Sequence, residues 1–295
     1  MRYFVIFLLL SVFFYCCSDP TSKNNYIQEK LTSESGYIKI PDCDTFRKDW
    51  SKENTVVFQW STEPDNLHPT NANSVYKGII DMYTQMSLVS VDLEHLSLRS
   101  DLVKAMPNVS ADGLEYTYEL REEPRFDNGD AVTTDDVIFS FKAAKCPLTN
   151  DPALKSGLET LKNIVADKFN PLKFTLVMKK KYYENYASPG LVPIIQRKVF
   201  DPNNILSKYT LHSFNDPLFD VDSHKDLNEW ATQFNNSENG RIPAKICGLG
   251  PYQVTSWDAG QTLILTKKIN HWTSKLAKPN LYETSFADKI IFNSS

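Results

Sequence analysis

The span from Leu120 to Ser140 leaves the backbone few options. Just ahead of it and into it, Tyr116, Tyr118 and Leu120 alternate with Thr117, Glu119 and Arg121, the period of two of a strand buried on one face. Asn128-Gly129 favours positive backbone dihedrals, which a tight reversal requires. Thr133 then stands three residues before Asp136, the spacing of a capping box, with Asp in the place usual for Glu or Gln. Val137, Phe141 and Ala144 recur at helical spacing, and Asp135 and Asp136 occupy the first turn, where they complement the positive end of the helix dipole. Neighbouring helical residues point about 100° apart, so this acidic pair is read as part of a cap and not as an acid/base couple. A strand, a turn and a capped helix in immediate succession predict a mixed α/β fold.

Elsewhere the pattern is plainer. Val56–Trp60, Phe174–Met178 and Ile290–Phe292 read as strands, and Tyr252–Trp257 with Thr262–Thr266 as a hairpin. Lys77–Val89 and Asp226–Phe234 read as helices, in the second case within an irregular polar stretch from about 201 to 245, and Asn235–Gly240 reads as a loop. Lys179-Lys180-Lys181 is expected to be the solvated end of a strand. A net charge of −4 gives no reason to expect nucleic acid or an anionic membrane surface as a partner. No Gly-x-Ser-x-Gly, His-Glu-x-x-His or phosphate loop appears, so nothing in the chain supports an enzyme, and no cofactor is expected. Cys43, Cys146 and Cys247 are widely spaced, without a Cys-x-x-Cys pair or nearby histidines; buried free thiols or a single disulfide both fit, and a metal site does not.

The Leu120–Ser140 run resembles the most recognisable stretch of the family 5 extracellular solute-binding proteins, the oligopeptide and nickel receptors of bacterial ABC importers. Three more segments agree in the family's order: Glu63-Pro64-Asp65-Asn66-Leu67-His68-Pro69, Gly248-Leu249-Gly250-Pro251-Tyr252, and Asn270-His271-Trp272 followed by Asp288–Phe292. The resemblance covers residues 55 to 292. It implies a periplasmic-binding-protein-like fold of type II, with 51–75 and 191–295 in a main lobe and 76–190 as an inserted subdomain. By the same resemblance the chain is the first lobe without the second. The implied function is capture of an oligopeptide or related small solute by a monomer and its delivery to ABC permease subunits. Nickel chelates, haem and sugars stay open as solutes, and a truncated surface lipoprotein acting through protein–protein interaction is the rival reading.

The N-terminus adds an address. Arg2 precedes an apolar stretch of about thirteen residues, Tyr3–Tyr15, too short to span a membrane but suited to a signal peptide. Cys16-Cys17-Ser18-Asp19-Pro20 resembles a bacterial lipoprotein signal. Residues 1–16 would be removed, Cys17 would carry the lipid, and 17–50 would tether the protein to a membrane in the periplasm or at the cell surface.

The resemblance also supplies candidate solute contacts. Glu63, with Pro64 and Asp65, stands where family members present polar groups to a peptide; its carboxylate pairs with an ammonium group or is a solvated loop residue. His68 replaces the family's usual Asp. Gly248, Leu249, Gly250 and Tyr252 resemble a Gly-Thr-Gly-Pro-Tyr turn, and either touch solute or support the lobe core. Trp272 stacks on solute or fills the core.

Overall fold

The structure, a computed structural model, describes residues 54–70, 74–277, 279 and 281–294. The signal peptide, Cys17, the tether and Cys43 lie outside the described residues. In chain order the elements are β1 (Thr55–Trp60), α1 (Val75–Thr84), β2 (Val89–Asp92), β3 (Ser97–Ser100), β4 (Asn108–Val109), β5 (Glu115–Glu119), α2 (Thr134–Lys145), α3 (Pro152–Gly157), β6 (Leu161–Ala166), β7 (Lys173–Met178), α4 (Arg197–Phe200), α5 (Leu211–Asn215), α6 (Lys225–Phe234), β8 (Tyr252–Asp258), β9 (Thr262–Lys267) and β10 (Lys289–Ser294), with short 3-10 turns between them.

Two sheets organise the chain. The first is mixed, in the order β1-β10-β9-β8, with β1 parallel to β10 and the other neighbours antiparallel. Ile290 and Phe292 of β10, Leu263 and Leu265 of β9 and Val254 of β8 alternate inward, as a one-sided strand must, and bury against Ile80 of α1. Thus α1 shares its core with β1 and β8–β10. The second sheet, β4-β5-β7-β6, is antiparallel throughout. Tyr118 of β5 stacks on Phe174 of β7 with ring centroids 5.6 Å apart, and α2 covers this face with Val137, Phe141 and Ala144.

The local signals around α2 form as the residues dictate. The Thr133 hydroxyl accepts from the Asp136 N–H, and the Asp136 carboxylate accepts from the Thr133 N–H at 3.0 Å, an arrangement worth about 1 kcal/mol. Of the Asn-Gly pair only Gly129 takes a positive φ, 86°. Asp136 also accepts from the Arg197 N–H at 2.9 Å, tying the cap to α4. The opposite face of α2, Phe139 and Ala143, is buried as well, against Phe200, Leu227, Trp230 and Phe234. A helix buried on both faces loses its clean amphipathic stripe.

Three expectations change. The helix expected over Lys77–Val89 ends at Thr84, because Gly250 N–H donates to the Thr84 carbonyl at 2.9 Å, and the next residues turn extended to bond with Ile194 and Leu102 before Val89 opens β2. The polar stretch 201–245 holds α5, α6 and an aromatic core of Tyr209, Phe214, Trp230 and Phe234 with Phe200. The Asn235–Gly240 loop contains a 3-10 turn. Cys146 and Cys247 are free, and burial pushes both thiols up to about 11. Lys179, Lys180 and Lys181 are exposed. Among the described residues no helix is long and apolar enough to cross a membrane.

Candidate functional site

The Gly248–Tyr252 turn seats on the C-terminal end of α1. A Cβ on Gly248 would lie 2.0 Å from the Thr84 carbonyl oxygen, and one on Gly250 2.3 Å from that of Tyr83, so both positions need a residue without a side chain. Leu249 is buried, and its carbonyl lies 2.8 Å from His271 Nε2, which therefore carries the proton there. Lys268 donates to the Gly248 carbonyl and pairs with Asp127 of the Asn-Gly turn, each at 2.7 Å. Tyr252 is buried with its hydroxyl donating to the Ala287 carbonyl at 2.8 Å. Trp272 is buried beneath the Arg121 guanidinium, 5.0 Å from its ring, and Arg121 pairs with Glu283 at 2.5 Å. These contacts bind the two sheets into one framework.

Glu63 is elsewhere. At the exit of β1 its carboxylate accepts from the Gly260 N–H at 2.6 Å and from Trp257 Nε1, and it pairs with Arg241 at 3.2 Å. Arg241 also lies over the Trp257 ring, 4.7 Å from its centroid. The carboxylate thus holds the β8–β9 turn and a cation of the chain itself. Tyr252 opens the seven-residue β8 and Gly260 lies in the turn just past its far end, a separation of roughly 20 Å. Pro64 is buried and Asp65 exposed. His68 is fully buried with its ring edge against Phe234 and Phe200, at 4.8 and 5.7 Å. Burial drives its pKa down to about 4, and the charge of Lys77 adds to that.

Two large cavities lie near this framework. One, of about 730 Å³, lies between the Asn-Gly turn and the loop after β9, and Trp272 and Lys268 line it. The other is a groove of about 690 Å³ walled by Val56 and Phe58 of β1, by α1, by the β2–β3 hairpin and by the segment 282–287. Tyr252 and Pro251 form part of its wall. It is the more apolar of the two, and Asp81, Gln85, Arg99 and Asp101 bring polar groups into it. Burial raises the Asp81 and Asp101 carboxyls to about 6, against the pull of Lys77 and of Arg99 respectively. Sequence reasoning missed all four. The available signal was the four-residue spacing of Asp81, in the last turn of a helix whose Ile80 turns to the core, and Gln85, the residue that caps it. Among the described residues no group of His, Cys, Asp or Glu is placed to hold a metal ion.

Residues 97–291 match the family described as bacterial extracellular solute-binding proteins, family 5 Middle. The chain belongs to that family. Among relatives of this family 5 protein, Protein XP55 of Streptomyces lividans is 26% identical over 229 residues, 76% of this chain and 34% of that protein. The oligopeptide-binding protein OppA of Bacillus subtilis is 23% identical over 234 residues, 79% of this chain and 39% of that one. The solved structure of the oligopeptide-binding protein AppA from Bacillus subtilis, in complex with a nonapeptide, superposes with a TM-score of 0.59 at 18% identity, covering 82% of this chain and 40% of that chain. NikZ from Campylobacter jejuni, in complex with Ni(L-His), gives 0.55 at 19% identity, with 82% and 39% covered. The fold is that of the type II periplasmic binding proteins, and the chain spans between about one third and two fifths of the length of these relatives.

Proposed function

We propose that this chain acts in the substrate-binding component of an ABC importer, capturing oligopeptides or a related small solute outside the inner membrane and handing them to permease subunits without covalent chemistry. The observation that carries the reading is the family match over residues 97–291, and the likeness to AppA bound to a nonapeptide and to DppA from Helicobacter pylori bound to the peptide STSA supports peptide as the solute class. The mixed sheet serves as the lobe facing solute, and the antiparallel sheet belongs to an inserted subdomain. Solute contact falls to groups at the cavity walls beside the Gly248–Tyr252 turn, with Trp272 on one side and Tyr252 on the other. Glu63, its carboxylate already engaged, shapes the lobe at the exit of β1.

A ligand that binds only the native state raises the unfolding midpoint; at a hundred times its Kd it adds about 2.7 kcal/mol. Thermal denaturation of residues 18–295 with a mixed peptide library is expected to shift the midpoint upward by several degrees. A cooperative transition that no peptide moves would overturn the peptide reading. The protein is also proposed to be an exported monomer anchored by lipid on Cys17. Cells fed an alkyne-tagged fatty acid are expected to label the protein, and Cys17→Ala to abolish the label; retained label would place the lipid elsewhere.

A further inference from the structure

The cavity beside the Asn-Gly turn carries positive charge that the protein leaves unmatched. Four cations line it, Arg125, Lys267, Lys268 and Lys275, against two carboxylates, Glu123 and Asp127, in a chain whose net charge is −4. Both carboxylates are already engaged: Asp127 pairs with Lys268 at 2.7 Å and Glu123 with Arg121 at 3.8 Å. Lys267 reaches Asp288 at 3.6 Å. Arg125 and Lys275 are left over, with no carboxylate within 4 Å among the described residues.

The protein places both of these cations without neutralising them. Arg125 bridges to Ala131 across the turn, and its Nη1 donates to the carbonyls of Glu122 and Pro124, which orients the guanidinium but brings it no counter-charge. Lys275 ends the 3-10 turn Trp272–Lys275, and that turn is fixed by the Ser274 hydroxyl donating to the His271 carbonyl at 2.7 Å. Lys268 bonds both Asp127 and the Gly248 carbonyl, so the loop after β9 and the Asn-Gly turn are tied together with the cavity between them. Arg125 and Lys275 are exposed, and a solute entering the cavity meets them directly. A concave site with an excess of one sign of charge concentrates the opposite ion. Arginine offers a planar fork that matches a carboxylate, and lysine adds a point charge. The lining also includes Phe126, Trp272 and the exposed Ile269, which suits an acid with a hydrocarbon body better than a bare inorganic ion.

We infer that this cavity is a binding site for an organic carboxylate, with Arg125 and Lys275 supplying the cations and Ile269 and Trp272 the apolar wall. The inference names the solute class within the solute-binding reading and rests on that reading. Such a carboxylate is either the C-terminus of a peptide or a free organic acid.

The test uses the chain from residue 18 to 295, with 3-phenylpropanoate as the probe and 3-phenylpropanamide as its neutral counterpart. Titration calorimetry at pH 7.5 is expected to show the acid binding at least about tenfold more tightly than the amide. Arg125→Gln and Lys275→Gln, both at exposed positions, should each weaken the acid several-fold and leave the amide unchanged. Lys179→Gln, an exposed lysine outside the cavity, should change neither. Acetyl-Ala-Ala-Phe and its C-terminal amide form the second arm. A preference for the free peptide acid that both cavity variants abolish assigns the site to peptide ends, whereas binding of 3-phenylpropanoate alone assigns it to small acids; either result upholds the inference. Equal binding of acid and amide would show apolar partitioning and sink it. So would an acid affinity unmoved by both cavity variants, one lowered as much by Lys179→Gln, or no binding of any acid at millimolar concentration. A peptide-library shift of the unfolding midpoint that persists in both cavity variants, with no acid bound, would remove this inference and leave the solute-binding reading standing; absence of both responses would remove both.

Discussion

Gly248→Ala is expected to destabilise the folded chain by about 3 kcal/mol, at the upper end of overpacking costs. The new methyl carbon would sit 2.0 Å from the Thr84 carbonyl oxygen and 2.7 Å from Gln85 Nε2. The first of these is backbone at the end of α1, already fixed from two sides. The Gln85 N–H donates to the Asp81 carbonyl at 2.8 Å, and the Thr84 carbonyl accepts from the Gly250 N–H at 2.9 Å. Relief therefore means moving a helix end together with the base of β8. Gly78→Ala is the internal control. It lies within α1 with nothing inside 4 Å of the added carbon, so it is expected to stabilise by about 0.5–1 kcal/mol through helix propensity. Urea denaturation of the two variants against the parent should give midpoint shifts of opposite sign. A Gly248→Ala midpoint equal to the parent's would show that the turn is not seated against α1.

The second large effect is a pH dependence at His68. Its ring is buried among Phe200 and Phe234 and titrates near 4, against an ordinary value of 6.5, so the unfolded chain binds a proton that the folded chain refuses. Its stabilising contribution is complete above pH 6.5 and is lost as the pH falls toward 4. The loss amounts to about 3 kcal/mol at most, from 1.36 kcal/mol per pKa unit. Asp81 and Asp101 act in the opposite sense. Their carboxyls, raised to about 6, hold protons more tightly in the folded state, so their contribution is present below the ordinary carboxyl range and is lost as the pH rises through 6. The net acid response of the parent therefore mixes the two. His68→Gln isolates the histidine: the stability of the parent minus that of the variant is expected to rise by about 3 kcal/mol between pH 4 and pH 7. A difference that stays flat across that range would show that the buried ring does not titrate as its surroundings require.

How much of this was legible in advance depends on how far apart the interacting groups lie. The strand at Tyr116–Glu119, the turn at Gly129 and the box of Thr133 and Asp136 are each decided within a few residues by steric preference and by side-chain bonds to nearby backbone. They form where the pattern puts them. The β8–β9 hairpin follows for the same reason, although a register shift between Val254 and Ser256 adds an irregularity that alternation alone does not announce. The family resemblance likewise rests on short local motifs, and it led to the right fold.

The candidate site is another matter. Sequence reasoning grouped Glu63 with the glycine turn because both belong to recognisable motifs, yet β8 separates their surroundings, and Arg241, 178 residues away in sequence, pairs with the Glu63 carboxylate. The groove draws its wall from β1, α1, the β2–β3 hairpin and the segment 282–287, so no contiguous stretch of sequence carries its signature. The aromatic core within the polar stretch 201–245 was hidden because its rings are spread over short helices and turns with no sustained period. The end of α1 turned on a hydrogen bond from Gly250. The sequence by itself determined β1, β5, β7, β10, the capped helix, the hairpin and the family, since their causes act within a few residues. Only the tertiary structure decided where α1 stops, which carboxylates are engaged and which cations are left without one. Those outcomes depend on which distant groups compete for the same hydrogen bond once packing brings them together.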